Sequence, residues 1–210
     1  VILGTLIRRA APAFALLTAL SPLTALVANA AAEPAPTRYS GTIVTRDDDQ
    51  LVLRTHGGAP VTMRLSRGTT LLSVTDAKVR DIKPESYLSA LTVPAAGGGL
   101  TARGVTLYAP SLRGFLAGHR PWDASGSESL TAGWVDGLAG GDARTVSLRF
   151  EGGGRRVTVP ADTRLTQAVP GEKALLVEGA EVVARAHPGP AGALEADLVV
   201  VGRRGAVPTL

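Results

Sequence analysis

The sequence predicts an all-β protein: two tandem, small, OB-like β-barrels of about five or six strands each, placed after an N-terminal signal peptide. Three observations carry this prediction. Apolar and polar residues alternate over short runs, as in Val61-Thr62-Met63-Arg64-Leu65 and Val146-Ser147-Leu148-Arg149-Phe150, the period of two of a half-buried strand. Turn-forming clusters separate these runs. The second half of the chain also repeats the pattern of the first.

Residues 1–30 read as an export signal. Arg8-Arg9 is followed by an apolar stretch from Ala10 to Val27 and by the small-x-small triplet Ala28-Asn29-Ala30, the order of a cleavable secretory signal. Pro12 and Pro22 interrupt the apolar stretch, whereas a membrane span prefers about 20 uninterrupted apolar residues. Residues 31–37 then form an extended linker stiffened by Pro34 and Pro36. No further apolar run is long enough to span a bilayer, so no transmembrane segment is expected after cleavage, and the expected location is periplasmic or secreted.

The first repeat is assigned to 38–108 and the second to 129–204, with a linker at 109–128 and a tail at 205–210. Asp47-Asp48-Asp49, His56-Gly57-Gly58, Gly97-Gly98-Gly99, Gly140-Gly141-Asp142 and Gly152-Gly153-Gly154 each sit between two β-runs, the punctuation of hairpins. Gly41 aligns with Gly133, Thr69 with Thr163, Leu71 with Leu165, Leu100 with Leu194, Ala102 with Ala196 and Val105 with Val199. The offset is 92 at the first pair and 94 at the rest. Each repeat therefore reads as a hairpin, a third strand, a short turn (DAKVRDIKPES or QAVPGEKALLVEGA) and a final hairpin. So short a meander has two unpaired edges, and closing each copy into its own barrel would remove them. An SH3-like barrel or a small open sandwich is the alternative.

The linker 109–128 lacks a strand period and carries Phe115, His119 and Trp122. Exposing such rings is costly, so Trp122 is expected to pin the linker against one or both barrels. Arg and Trp are also the residue types that anchor interfaces. The candidate binding residues are therefore Arg113, His119, Arg120, Trp122 and Asp123, and a purely structural role for the segment is an equal expectation.

The string Gly118-His119-Arg120-Pro121-Trp122-Asp123, preceded by Leu112-Arg113-Gly114, together with Asp81-Ile82-Lys83-Pro84 and Gly41-Thr42-Ile43, resembles a family of uncharacterised bacterial exported proteins. These carry two tandem β-barrel domains of unknown function. Members are often labelled "metal ABC transporter permease", a description at odds with a chain whose only long apolar run is a cleavable signal. The resemblance implies a fold and export, not a reaction. The second copy departs from it at Val177-Glu178-Gly179, where a Lys-Pro pair is usual.

Composition narrows the function classes. The chain has no cysteine, which excludes disulfides, thiolate metal sites and a lipoprotein anchor. Its net charge of +4 includes Arg8 and Arg9; without them, 20 basic residues face 18 acidic ones, leaving about +2. Such a balance, with few aromatic residues on the strands, is weak for a nucleic-acid partner. His56, His119 and His187 lie in separate turns and no serine sits in a nucleophile motif, so no catalytic residue is assigned. The expected function is an exported, non-enzymatic binding or scaffold protein of the cell envelope. It needs no cofactor, and its partner is an envelope protein or a small ligand. The alternative is a periplasmic metal-binding accessory protein using His119 and Asp123, although Pro121 between them breaks helical spacing.

Overall fold

A computed structural model describes residues 36–96, 99–122, 126–141, 143–189 and 192–210. The signal assigned to 1–30, residues 31–35 of the first linker, and Asp123 of the candidate site lie outside the described residues.

The chain is all-β, as the alternation predicts. Among the described residues twelve strands run in order: β1 (Thr37–Arg46), β2 (Gln50–Thr55), β3 (Pro60–Ala77), β4 (Tyr87–Pro94), β5 (Leu100–Tyr108), β6 (Gly118–Pro121), β7 (Ser129–Ala139), β8 (Arg144–Phe150), β9 (Gly153–Val159), β10 (Arg164–Pro170), β11 (Glu181–Pro188) and β12 (Leu194–Gly202). Short 3-10 turns lie at Val79–Asp81, Pro110–Leu112 and Lys173–Leu175. No helix among the described residues is long and apolar enough to cross a membrane.

Five strands close into a barrel. β11 pairs with β1, β1 with β2 and β2 with β3, all antiparallel, and β12 closes the ring by pairing antiparallel with β11 and parallel with β3. Met63 and Leu65, which the alternation marked, line its interior with Ile43, Leu51, Leu53, Val182, Val199 and Val201. A second ring runs β5–β4–β7–β8–β9, and β9 returns to β5 through Leu100↔Val157 and Thr101↔Thr158. Leu88, Val105, Val135, Val146, Leu148 and Val157 fill it, with Ile82 entering from the turn after β3.

The partnership of the strands differs from the expected one barrel per repeat. Each ring takes its first three strands from one repeat and its last hairpin from the other: β1–β3 are completed by β11–β12, and β7–β9 by β4–β5. In the first repeat β3 continues for 18 residues; its register against β12 breaks between Leu65 and Thr70, and beyond that break it also pairs with β10. Alternation specifies which face a residue occupies and not which strand it pairs with, so the periodicity is satisfied by either hairpin.

The exchange is nearly symmetric. Leu194 pairs with Met63 in one ring and Leu100 with Val157 in the other, so the same offset of 94 relates both closures. Where β3 runs antiparallel to β10, Val74 faces Ala168, its own counterpart 94 residues on, and a pseudo-twofold axis passes between them. Leu72, Ser73 and Val74 are consecutively buried there, because this half of β3 has packed side chains on both faces. The copies diverge at one joint: the first runs through Ser66-Arg67-Gly68 without leaving β3, whereas the second has Pro160-Ala161-Asp162 between β9 and β10. Proline lacks the N–H that would continue the ladder.

Two segments expected to lie outside the barrels are packed onto them. Within the linker, Gly118–Pro121 is a strand on Ser129–Ala132 of β7. The tail at 205–210 packs inward, with Ala206, Thr209 and Leu210 buried. The Thr209 hydroxyl lies 3.0 Å from that of Thr106 and 3.1 Å from that of Thr166, so this buried polar group is satisfied in the way burial demands.

Candidate functional site

The linker is a strap over the junction of the two rings. Ala109 N–H donates to Ala168 O at 2.9 Å, and Leu112, Phe115, Leu116, Trp122 and Trp134 pack on a third core cluster that contains Tyr87, Tyr108, Leu130 and Leu210. Positive φ angles at Gly114 (89°), Leu116 (55°) and Gly118 (113°) turn the chain back on itself so that β6 can run beside β7. Leu116 holds the left-handed conformation without being glycine, a strained position that its packing offsets.

The aromatic rings interlock edge to face. Tyr87 lies 5.4 Å from Trp134 at 75°, and Tyr108 lies 5.8 Å from Phe115 at 66°, arrangements that exploit the ring quadrupole. The Tyr87 hydroxyl donates to Phe115 O at 3.0 Å, and the Tyr108 hydroxyl is 2.9 Å from Ser89 Oγ. Burial drives the Tyr108 phenol well above its ordinary value, the Ser89 hydrogen bond only partly opposing it. Tyr87 is raised by burial against the opposing Arg120 charge. Both phenols are therefore neutral hydrogen-bonding groups at physiological pH.

Each described candidate residue has its own place in this strap. Arg113 lies over the Trp134 ring, 5.1 Å from its centroid. Arg120 Nη2 donates to Leu116 O at 2.7 Å and also to Ala117 O, pinning the turn that precedes β6. His119 Nδ1 is 2.8 Å from Thr131 Oγ1; burial, aided by the charge of Arg155, holds its imidazole below the ordinary histidine value. Trp122 packs into the junction as expected, and the Arg185 guanidinium lies 5.5 Å from its ring. Its indole N–H is buried with no acceptor among the described residues.

Sequence reasoning missed Arg185 and Asp197. They pair at 2.7 Å between β11 and β12, with Arg185 Nε 2.9 Å from the same carboxylate, and so fix a cation against the strap's tryptophan. Buried Ala184 and Ala186 flank Arg185, which identifies it as outward-facing. Only the strand exchange, invisible in the periodicity, brings it to Trp122.

Comparison with protein-family models, with curated proteins and with solved structures finds no match.

The strap gathers stacked rings, paired cations and closed hydrogen bonds. Among the described residues no group of three or more His, Asp or Glu side chains is positioned to hold a metal ion. His119 directs Nδ1 at a threonine hydroxyl, and its expected co-ligand Asp123 lies outside the described residues. Arg113 stacks on Trp134, and His119 and Arg120 bond to their own chain, which suits a clasp between rings better than an open recognition surface.

Proposed function

We propose that this chain is an exported, non-enzymatic scaffold or binding protein of the cell envelope, built from two small barrels that exchange their last hairpins. The observation that carries the reading is the commitment of the strap: Arg113 on Trp134, Arg120 on Leu116 and Ala117, and Arg185 on Trp122. Aromatic and guanidinium groups of this kind elsewhere anchor partners; here they fasten one ring to the other. That leaves the exposed strand faces and turns as the working surface. The family resemblance of the linker string and the order of residues 1–30 support export.

Fractionation of cells producing the full chain tests this reading. The expected product is a shortened protein in the periplasm or medium, beginning after Ala30 by mass spectrometry. Recovery of the uncut chain in the cytoplasm refutes it.

A further inference from the structure

A cleft of about 450 Å³ opens at the base of the second ring, bounded by the turn after β3 and the starts of β8 and β10. Lys78 and Arg80 come from the turn, Arg144 from β8, and Thr163 from the joint before β10. Arg144 Nη1 donates to Ile82 O at 2.9 Å, which fixes the guanidinium and leaves its other N–H groups for a ligand. The neighbouring Asp81 carboxylate is turned onto the Lys78 backbone N–H at 2.8 Å.

The duplicated ring supplies an internal control. Lys78 and Glu172 both precede a 3-10 turn, so Lys78 and Arg80 correspond to Glu172 and Ala174. Arg144 pairs with Val159 as Asp49 accepts from the N–H of Leu65, so Arg144 corresponds to Asp49. Three cations in one ring thus stand where the other has two carboxylates and a methyl group. The one cation of the equivalent turn, Lys173, donates to Asp48 O at 2.7 Å. A fold that closes equally well with the opposite charge does not require these cations.

Thr163 differs in the same direction. Its counterpart Thr69 accepts from Ser66 N–H at 2.8 Å and donates to Ala196 O at 2.7 Å. Pro160 stands where Ser66 does and has no N–H, and the Thr163 hydroxyl is buried without a partner among the described residues. An unmatched buried hydroxyl is costly, and here it borders the cationic cleft.

We infer that the cleft formed by Lys78, Arg80, Arg144 and Thr163 binds a phosphoryl group. A single carboxylate offers two oxygens and one charge. Three cations suit a phosphate monoester, which carries close to two negative charges and three free oxygens, and a guanidinium meets such oxygens with paired N–H groups. The inference stands on the cleft alone and goes beyond the scaffold reading; it holds wherever the protein works.

Thermal melting of the full chain tests it at constant ionic strength, with inorganic phosphate or glycerol 3-phosphate replacing chloride. A saturable rise in Tm with both assigns the phosphoryl group; saturation with inorganic phosphate alone assigns free phosphate. The double variant K78E/R80A installs the residues of the other ring and should weaken the midpoint at least about a hundredfold, roughly tenfold for each lost charge-assisted contact. R54A/R67E makes the same charge change elsewhere and should leave the midpoint in place. Arg144→Gln, should it melt cooperatively, weakens binding likewise. A rise that never saturates, or one equal in K78E/R80A and the parent, overturns the inference.

Discussion

If each ring borrows its last hairpin from the other repeat, cutting the strap should not release two domains. Consider a protease site inserted after Gly126, an exposed strap residue, in the full-length protein. Separation would strip β11–β12 from the first barrel and expose Val182, Val199 and Val201, each within 2% of full burial. At roughly 1.5–3 kcal/mol per valine, these three alone are worth about 5–9 kcal/mol, comparable to the whole stability of a typical domain. The barrel would also lose the β1–β11 and β3–β12 ladders that close it. The cleaved protein should therefore elute at its intact size in native buffer, melt as one unit and come apart only in denaturant. Two fragments that separate in native buffer, each with its own cooperative β-sheet melt, would show that every repeat folds by itself and would refute the exchange.

Trp122→Ala should lower stability by about 2–3 kcal/mol in urea unfolding, below the full cost of a buried tryptophan because the ring is half-exposed. Trp122→Phe should lose less than about 1 kcal/mol, since the indole N–H it removes has no acceptor among the described residues; an equal loss in both variants would contradict this account. Gly41→Ala and Gly133→Ala should each cost more than about 3 kcal/mol, because a Cβ would run into the backbone carbonyl of Arg54 or Arg149 on the neighbouring strand; normal Tm values for both would contradict the register. For His119 the folded-state pKa lies below its ordinary 6.5, so the unfolded chain binds the proton more readily. Its contribution is complete above pH 6.5 and is lost as pH falls through the folded value. Tm should accordingly drop less on acidification in His119→Asn than in the parent, and superimposable profiles would refute the assignment.

Much of the fold was legible from residues alone. Met63 and Leu65, or Val146 and Leu148, point inward because their period is two. Gly41 and Gly133 align because in both copies a strand crosses where a side chain has no room. Which hairpin completes which ring was not legible, because alternation fixes the face a residue occupies and not the strand it pairs with. The strap was half legible. Trp122 announced that it would be packed, since an exposed indole is unfavourable, but its cationic neighbour Arg185 is more than sixty residues away and reaches it through the exchanged hairpin. The cationic cleft was hidden for another reason: Lys78, Arg80 and Arg144 are ordinary surface residues until the two copies are superposed.

The exchange also orders events during folding. The barrel that holds β1 cannot close until β12 exists, so the earliest strands of the molecule wait for its last ones. Such distant pairing is slow to form, and the opening half of the polypeptide stays open-edged for as long as the remainder is being made. A chain arranged this way reaches its final shape only once β12 has been made.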